Sequence, residues 1–311
     1  MADRREPAVY TIPPHRAFAD ALVTGVLALY GADSMALARG IILVPNNRAG
    51  QAIGDAFVRR AEGGLLMPRL VPIGDPELDD RTGPALDPLD EQPLTPAIAQ
   101  LRRQLILARL LQDARGVDAA EAMRLGADLG RVLDQLHVEE RKPDELAKLD
   151  LKDGLSEHWQ RSLDLLNIVL KQWPQELAQR GCIDLADRRN QLLTRVEERW
   201  AREAPPGFVI AAGISTGAPA VARLLKRVAR LPNGRVVLAG LDQHMPAAEW
   251  DAVAGKDGGP AIETHPQFHL WQMLDRMDTA RADVKLWRYG SESDAAPARS
   301  RAISNALAPA R

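Results

Sequence analysis

The side chains able to do chemistry in this chain are few, and their spacing limits what that chemistry is. Gly213-Ile214-Ser215-Thr216-Gly217 has the G-x-S-x-G spacing of a nucleophile elbow, a tight turn that lifts a serine hydroxyl above a sheet. Such a serine needs a histidine base, and no histidine stands in a late strand-to-helix loop. A glycine-hinged turn whose Ser or Thr caps the next helix is the plainer reading. His265 and His269 are four residues apart, the spacing that places two imidazoles on one helix face. Pro266, however, puts His265 at or before the helix start, and neither an HExxH glutamate nor cysteines accompany the pair. A capping or surface role is the default for both. Cys182 is the only cysteine and has no histidine beside it, which describes a structural thiol rather than a nucleophile. Asp242 closes an apolar run where a Mg²⁺-binding carboxylate would stand, and it equally fits a turn or a helix cap. No catalytic residue and no metal site follow from these sets.

Phosphate chemistry needs glycines for close backbone approach, free N–H donors and a lysine, as in GxxxxGK[ST] after a strand. The corresponding segment here, Ile12-Pro13-Pro14-His15-Arg16-Ala17, has no glycine and no lysine, and its two prolines remove N–H donors. Gly255-Lys256 is followed by Asp257, and there is no GxGxxG. Pro13, Pro14, His15 and Arg16 therefore read as a degenerate loop without nucleotide binding, and no cofactor is expected. Asn46-Asn47-Arg48 is a better candidate site. It follows an apolar run and opens a helix, where open α/β sheets bind ligands and helix N-termini favour phosphate. Asparagine and arginine also donate well to nucleic-acid backbone oxygens. A structural turn is the alternative. Arg69 is a further basic residue beside an extended stretch. Arg223, Lys226, Arg227 and Arg230 fall at i, i+3, i+4 and i+7, which makes either a solvated helix face or a phosphate-contacting stripe.

The elements that must position these residues alternate between two patterns. Val9–Ile12, Gly40–Val44, Phe208–Ala212 and Arg235–Ala239 are short apolar runs, as expected of strands covered on both faces of a parallel sheet. Leu65–Ile73 is extended but carries prolines, which suggests an edge or irregular strand. Val284–Arg288 alternates like a strand. Helices are expected at Phe18–Tyr30, Ala49–Arg60, Ala218–Leu231 and Gln267–Met277, with a weak one at Ala298–Leu307. Asp242–Pro266 reads as loop with little helix, and 74–96 as a long Pro-rich loop. Between them, Ile98–Leu111, Ala119–Leu136, Leu155–Trp173 and Leu185–Trp200 read as amphipathic helices with short breaks, a helical bundle. The expected architecture is one α/β parallel-sheet domain interrupted by an all-α insertion. The boundaries are 1–90 and 206–290 for the α/β halves, 91–205 for the insertion and 291–311 for a C-terminal linker or helix.

Composition sets outer limits. With 40 Lys+Arg against 42 Asp+Glu, the 311-residue chain is neither a generically basic nucleic-acid binder nor an acidic disordered chain. A lone cysteine excludes a disulfide framework, a four-thiolate zinc site and a self-contained iron–sulfur cluster. No apolar run approaches the ~18 residues of a spanning helix, and no signal-peptide core follows Met1, so a cytoplasmic location without membrane attachment is expected.

The order of these pieces resembles a known family. Val9-Tyr-Thr-Ile-Pro-Pro14, Ile41-Ile-Leu-Val-Pro-Asn-Asn-Arg-Ala-Gly-Gln-Ala-Ile53 and Leu66-Met-Pro-Arg-Leu-Val-Pro-Ile-Gly-Asp75 resemble the start of the AddB family. The likeness continues in Ala211-Ala-Gly-Ile-Ser-Thr-Gly-Ala-Pro-Ala220, Leu231–Asp242 and His265-Pro-Gln-Phe268. AddB proteins are subunits of AddAB helicase–nucleases that process double-strand breaks in bacteria, and the alphaproteobacterial branch fits best. The resemblance implies a RecA-like, superfamily-1-type helicase domain with a helical insertion. Ile12–Ala17 would stand at the phosphate loop, Val44–Ala52 at a DNA-contacting motif and Phe208–Thr216 at the Mg²⁺-binding Asp-Glu, yet both ATPase signatures are missing. It thus implies a non-enzymatic module that holds or reads DNA beside an AddA-type helicase–nuclease subunit, with Asn46, Asn47, Arg48, Arg69, Ser215 and Thr216 as DNA-binding candidates. A pure AddA scaffold without DNA contact is the alternative. The single cysteine implies an N-terminal fragment lacking the family's iron–sulfur nuclease domain.

Overall fold

The computed structural model describes residues 6–61, 63–73, 94–142, 145, 170–256, 258–290 and 297–306. Most of the expected 74–96 loop, the expected helix Leu155–Trp173 up to residue 169, and 291–296 and 307–311 of the C-terminal segment lie outside the described residues. Among the described residues no helix is long and apolar enough to cross a membrane.

Six strands form one all-parallel sheet: β1 Val9–Ile12, β2 Ile41–Val44, β3 Arg69–Pro72, β4 Val209–Ala212, β5 Gly234–Ala239 and β6 Lys285–Leu286, in the order β3-β2-β4-β5-β1-β6. The fold is therefore α/β. Strands β2 and β4 are buried at every residue, which is why their sequences are continuous apolar runs rather than alternating ones. The proline-bearing β3 is an edge strand, where a missing N–H costs no ladder bond on the solvent side. The expected strand Val284–Arg288 shortens to Lys285–Leu286 at the other edge. Trp287 leaves the strand to bury its ring in the core and hands its N–H to the Thr11 carbonyl (2.9 Å).

Helices cover both faces. On one, α1 Phe18–Tyr30 and α3 Asn47–Arg60 close over Ile12, Ile42, Val44, Ile210, Ala212 and Val237, with Leu22, Val26, Ile53, Phe57 and Trp287 filling the layer. Gly25 is required there. A Cβ at this residue would lie 2.3 Å from the Trp287 ring, whose Nε1–H donates to the Ala21 carbonyl at 2.9 Å. On the other face, among the described residues, lie two helices. One spans Pro219–Val228, contacts β4 and β5 and carries Val221, Leu224, Leu225 and Val228 buried; Phe268–Arg276 packs against it. Two short helices were not legible in the sequence. Ser34–Ala38 (α2) starts at Asp33, whose carboxylate accepts the N–H groups of Met35 (2.9 Å) and Ala36 (3.2 Å). Ala247–Val253 corrects the expectation of loop over Asp242–Pro266: Val253 and Met245 bury with Phe268 in a satellite cluster that fixes the turn.

The chain divides into two compact units, Met1–Leu89 with Leu193–Arg311, and Asp90–Leu192. Strands from before and after the second unit share the one sheet, so the sheet unit is discontinuous in sequence. The second unit is built of α4 Gln100–Arg115 and α5 Ala119–Val138, packed together, with helical residues 170–180 and the first turns of α6 Leu185–Arg202. Its core is Ile98, Ile106, Leu107, Leu110, Leu111, Leu133 and Trp173. At Gly126 α5 approaches α4 so closely that a Cβ would sit 3.1 Å from the Ala108 nitrogen.

Candidate binding site at the carboxyl ends of the strands

In a parallel sheet the loops after the strands gather at one end, and ligands bind where successive connections leave in opposite directions. Here the connection after β1 runs toward β2 on one side, and the connection after β5 runs over β1 to β6 on the other. The connections after β2 and β4 diverge along the sheet, whereas those after β1 and β5 cross over each other's strands. Between the β1 and β5 loops lies a cavity of about 590 Å³, lined by Pro13, Pro14, His15, Ser215, residues 239–244, Pro266, Gln267, Leu270, Leu286, Ile303 and Ser304.

Backbone donors are scarce in the first part of the β1 loop. Pro13 and Pro14 offer no N–H, and the Arg16 N–H is spent on the Pro13 carbonyl (3.1 Å). The Arg16 guanidinium does not reach into the cavity as a free cation. It is buried, donating to the Trp287 carbonyl (2.8 Å) and to that of Tyr289, and so ties the loop to the chain beyond β6. The β5 loop is held by a two-pronged amide. Gln267 Nε2 donates to the Gly240 carbonyl and its Oε1 accepts the Asp242 N–H, both at 3.0 Å. Gly240 has φ +70°, which favours glycine. Asp242 Oδ1 accepts the N–H groups of His244 (2.8 Å) and Met245 (3.0 Å), so this carboxylate makes a turn. Beside it the Arg281 guanidinium, 4.7 Å from the Trp250 ring, is lowered from its usual pKa by burial, against the opposing charges of Asp242 and Asp251.

The elbow-like segment is a turn before a helix: Thr216 Oγ1 accepts the Ala218 N–H (3.3 Å). Ser215 is exposed at the cavity wall, and no histidine hydrogen-bonds to it among the described residues. His265 is buried, its Nδ1 accepting the Gln267 N–H (3.1 Å), while His269 is exposed against the Phe268 ring. No group of His, Cys, Asp and Glu among the described residues could hold a metal. The Cys182 thiol donates to the Arg180 carbonyl (3.4 Å) in the helical unit.

The DNA-binding candidates separate into two places. Asn46 caps α3, its Oδ1 accepting the Ala49 N–H (2.9 Å), so its acceptor is committed. Asn47 and Arg48 are exposed on the first turn of α3, and Arg48 has no ion pair among the described residues. Asn47 also lines a shallow groove of about 350 Å³ with Gln51, Asp55, Leu70 and Pro72. Because β2 and β4 pair directly (Leu43 with Ala211), the loops bearing Asn46–Arg48 and Ser215–Thr216 leave the sheet side by side. Arg69 pairs with Ile41 at the opposite, amino end of the sheet, separated by the length of β2, roughly 10 Å. The stripe on the Pro219–Val228 helix is partly neutralised: Arg227 pairs with Glu197 (2.8 Å) and Lys226 with Asp278 (3.7 Å).

The sequence reading missed a buried charge network in the helical unit. Asp184, 1% exposed, accepts the Trp173 indole N–H (2.9 Å) and meets His137 Nε2 (3.1 Å). Arg103 Nε lies 2.9 Å from its other oxygen, a Coulombic contact whose N–H is not aligned as a hydrogen bond. Arg103 also binds Asp134 (2.7 Å) and the Gly130 carbonyl (3.2 Å). Burial would raise the Asp184 pKa, but the His137 hydrogen bond, Arg103 charge and Trp173 hydrogen bond outweigh it and hold it below 3.8. Burial likewise disfavours protonated His137, yet Asp184 and Asp187 raise its pKa above 6.5.

No protein-family model matches the chain, and no curated protein matches it either.

Proposed function

We propose that this chain is a catalytically silent, helicase-like module of the AddB type, which holds or reads DNA and docks an AddA-type motor subunit during double-strand break processing. An all-parallel sheet split by a helical unit supports a RecA-like layout for it. The order also departs from the dinucleotide-binding order 3-2-1-4-5-6, since β4 and β5 stand between β2 and β1. The observation that carries the reading is the contrast between two loops at the same end of the sheet. In the β1 loop Pro13 and Pro14 carry no N–H and Arg16 is tied to backbone carbonyls, whereas the β2 loop presents Asn47 and Arg48, which makes no ion pair among the described residues, at a helix N-terminus.

The test uses the chain assembled with its AddA-type partner. Arg48→Glu weakens DNA binding and lowers the slope of log affinity against log salt by about 1, as loss of one phosphate contact requires. The isolated chain hydrolyses no ATP with or without DNA. Robust DNA-stimulated hydrolysis by the pure chain refutes the reading. The scaffold alternative draws on the exposed apolar residues Val58 (71%), Leu66 (53%) and Met67 (37%) on α3 and before β3. It gains if Arg48→Glu leaves DNA binding of the complex unchanged while Val58→Asp prevents assembly.

A further inference from the structure

We infer that the cavity between the β1 and β5 loops is a binding site for an uncharged, largely apolar small molecule bearing a hydrogen-bonding group. Its volume of about 590 Å³ lies within the range of small-molecule pockets, ~300–1,000 Å³. Pro13, Pro14, Leu241, Leu270, Leu286 and Ile303 supply an apolar wall.

An independent observation points to an occupant. Ser304, on the helix Pro297–Ala306, is 2% exposed and lines this cavity, and its hydroxyl has no hydrogen-bond partner among the described residues. A buried hydroxyl left unpaired is unfavourable, and a ligand group bonded to Ser304 Oγ removes that penalty. Elsewhere in the wall the Gln267 amide is committed at both ends, Gln243 Nε2 donates to the Val284 carbonyl (2.6 Å) and one Asp242 oxygen accepts two backbone N–H groups, while His15, His244 and the exposed Ser215 also line it.

Charge selects the ligand class. Among the described residues that line the cavity there is neither lysine nor arginine, the ionisable side chains being His15, His244 and one carboxylate, Asp242. An anion brought here would lose its hydration, find no lysine or arginine among the described lining residues and face that carboxylate. Pro13 and Pro14 withhold the backbone donors a phosphate would use. The site therefore selects against nucleotides and for neutral molecules that match the apolar wall and satisfy Ser304. This goes beyond the DNA-holding reading, because it concerns different loops and does not depend on Arg48.

The test is a titration of the full chain with N-phenyl-1-naphthylamine, a neutral fluorophore that brightens in apolar surroundings and carries one N–H. The expected result is saturable brightening at one probe per chain, uncompeted by ATP. Ile303→Trp, at a position 43% exposed and so tolerant of change, fills the cavity and abolishes the signal. Ser304→Val weakens the amine roughly two- to tenfold, the range of one hydrogen bond, but leaves 1-phenylnaphthalene, which has no N–H, unchanged. Brightening that persists in Ile303→Trp, or ATP that displaces the probe from the unsubstituted chain, overturns the inference. A separate loss of DNA binding in Arg48→Glu bears only on the DNA reading.

Discussion

Asp184→Asn is the most informative single substitution in the helical unit. It keeps the shape of the side chain and removes its charge, leaving the buried Arg103 with less compensation. Breaking a buried pair from one side costs ~3–5 kcal/mol. Arg103 keeps Asp134 at 2.7 Å and the Gly130 carbonyl at 3.2 Å, so we place the loss near the lower end, about 3 kcal/mol. For a unit of this size that corresponds to a fall in Tm of roughly 12–24 °C. Amide hydrogen exchange localises the effect: protection falls along α4 and α5, while β2 and β4 remain protected. Adding Arg103→Met to the Asp184→Asn background recovers part of the loss, because the uncompensated cation is gone. A cost below about 1 kcal/mol, or no recovery in the double variant, refutes the argument from buried charge. The same network sets a pH dependence. Asp184, lowered below 3.8 despite its burial, adds stability that is present above 3.8 and lost as pH falls through its depressed pKa. His137, raised above 6.5 against its burial, adds stability that is present below 6.5 and lost as pH rises through its raised pKa. The contribution of the pair therefore peaks between pH 3.8 and 6.5. His137→Gln flattens the alkaline side of the stability profile, measured by urea unfolding from pH 6 to 9.

Two further substitutions test the loops of the sheet unit. Arg16→Met removes two charge-assisted bonds to the Trp287 and Tyr289 carbonyls and lowers the stability of the sheet unit by about 2–4 kcal/mol, measured by urea unfolding. Asn46→Ala costs about 0.5–2 kcal/mol by leaving the Ala49 N–H of α3 uncapped, whereas Asn46→Asp retains the cap, as amide exchange in the first turn of α3 reports.

The elements were legible where local pattern and final environment agree. Ile41–Val44 and Val209–Ala212 are apolar at every residue because both faces are covered, and the basic-apolar pattern of 218–231 matches a helix with one buried face. That Pro13 and Pro14 carry no N–H needed no structure, since proline lacks one wherever it sits. The strand order was not legible, because pairings such as Thr11 with Leu238 join residues far apart and leave no periodic trace. Arg16 looks like any loop cation until the chain beyond β6 returns to bury it. Asp184 was invisible for the same reason: Arg103, His137 and Trp173 lie on separate helical stretches, and their convergence is a product of packing. Asn46 carried a local signal with two meanings, ligand donor and structural turn, and in the structure its side chain caps α3.

The placement of β4 and β5 between β2 and β1 bears on how the protein is made. A chain synthesised from its amino terminus delivers β1 and β2 first, yet neither has its central partner until residues beyond 208 emerge. The helical unit, Asp90–Leu192, is contiguous and fully translated before that point. Synthesis thus runs opposite to assembly: the bundle is ready to fold while two apolar strands wait, with their hydrogen-bonding edges exposed, for the late strands that join them. Late, long-range pairing of this kind is slow and exposed to aggregation. Truncations ending before β5 should therefore yield a soluble helical unit attached to strands that aggregate or recruit chaperones.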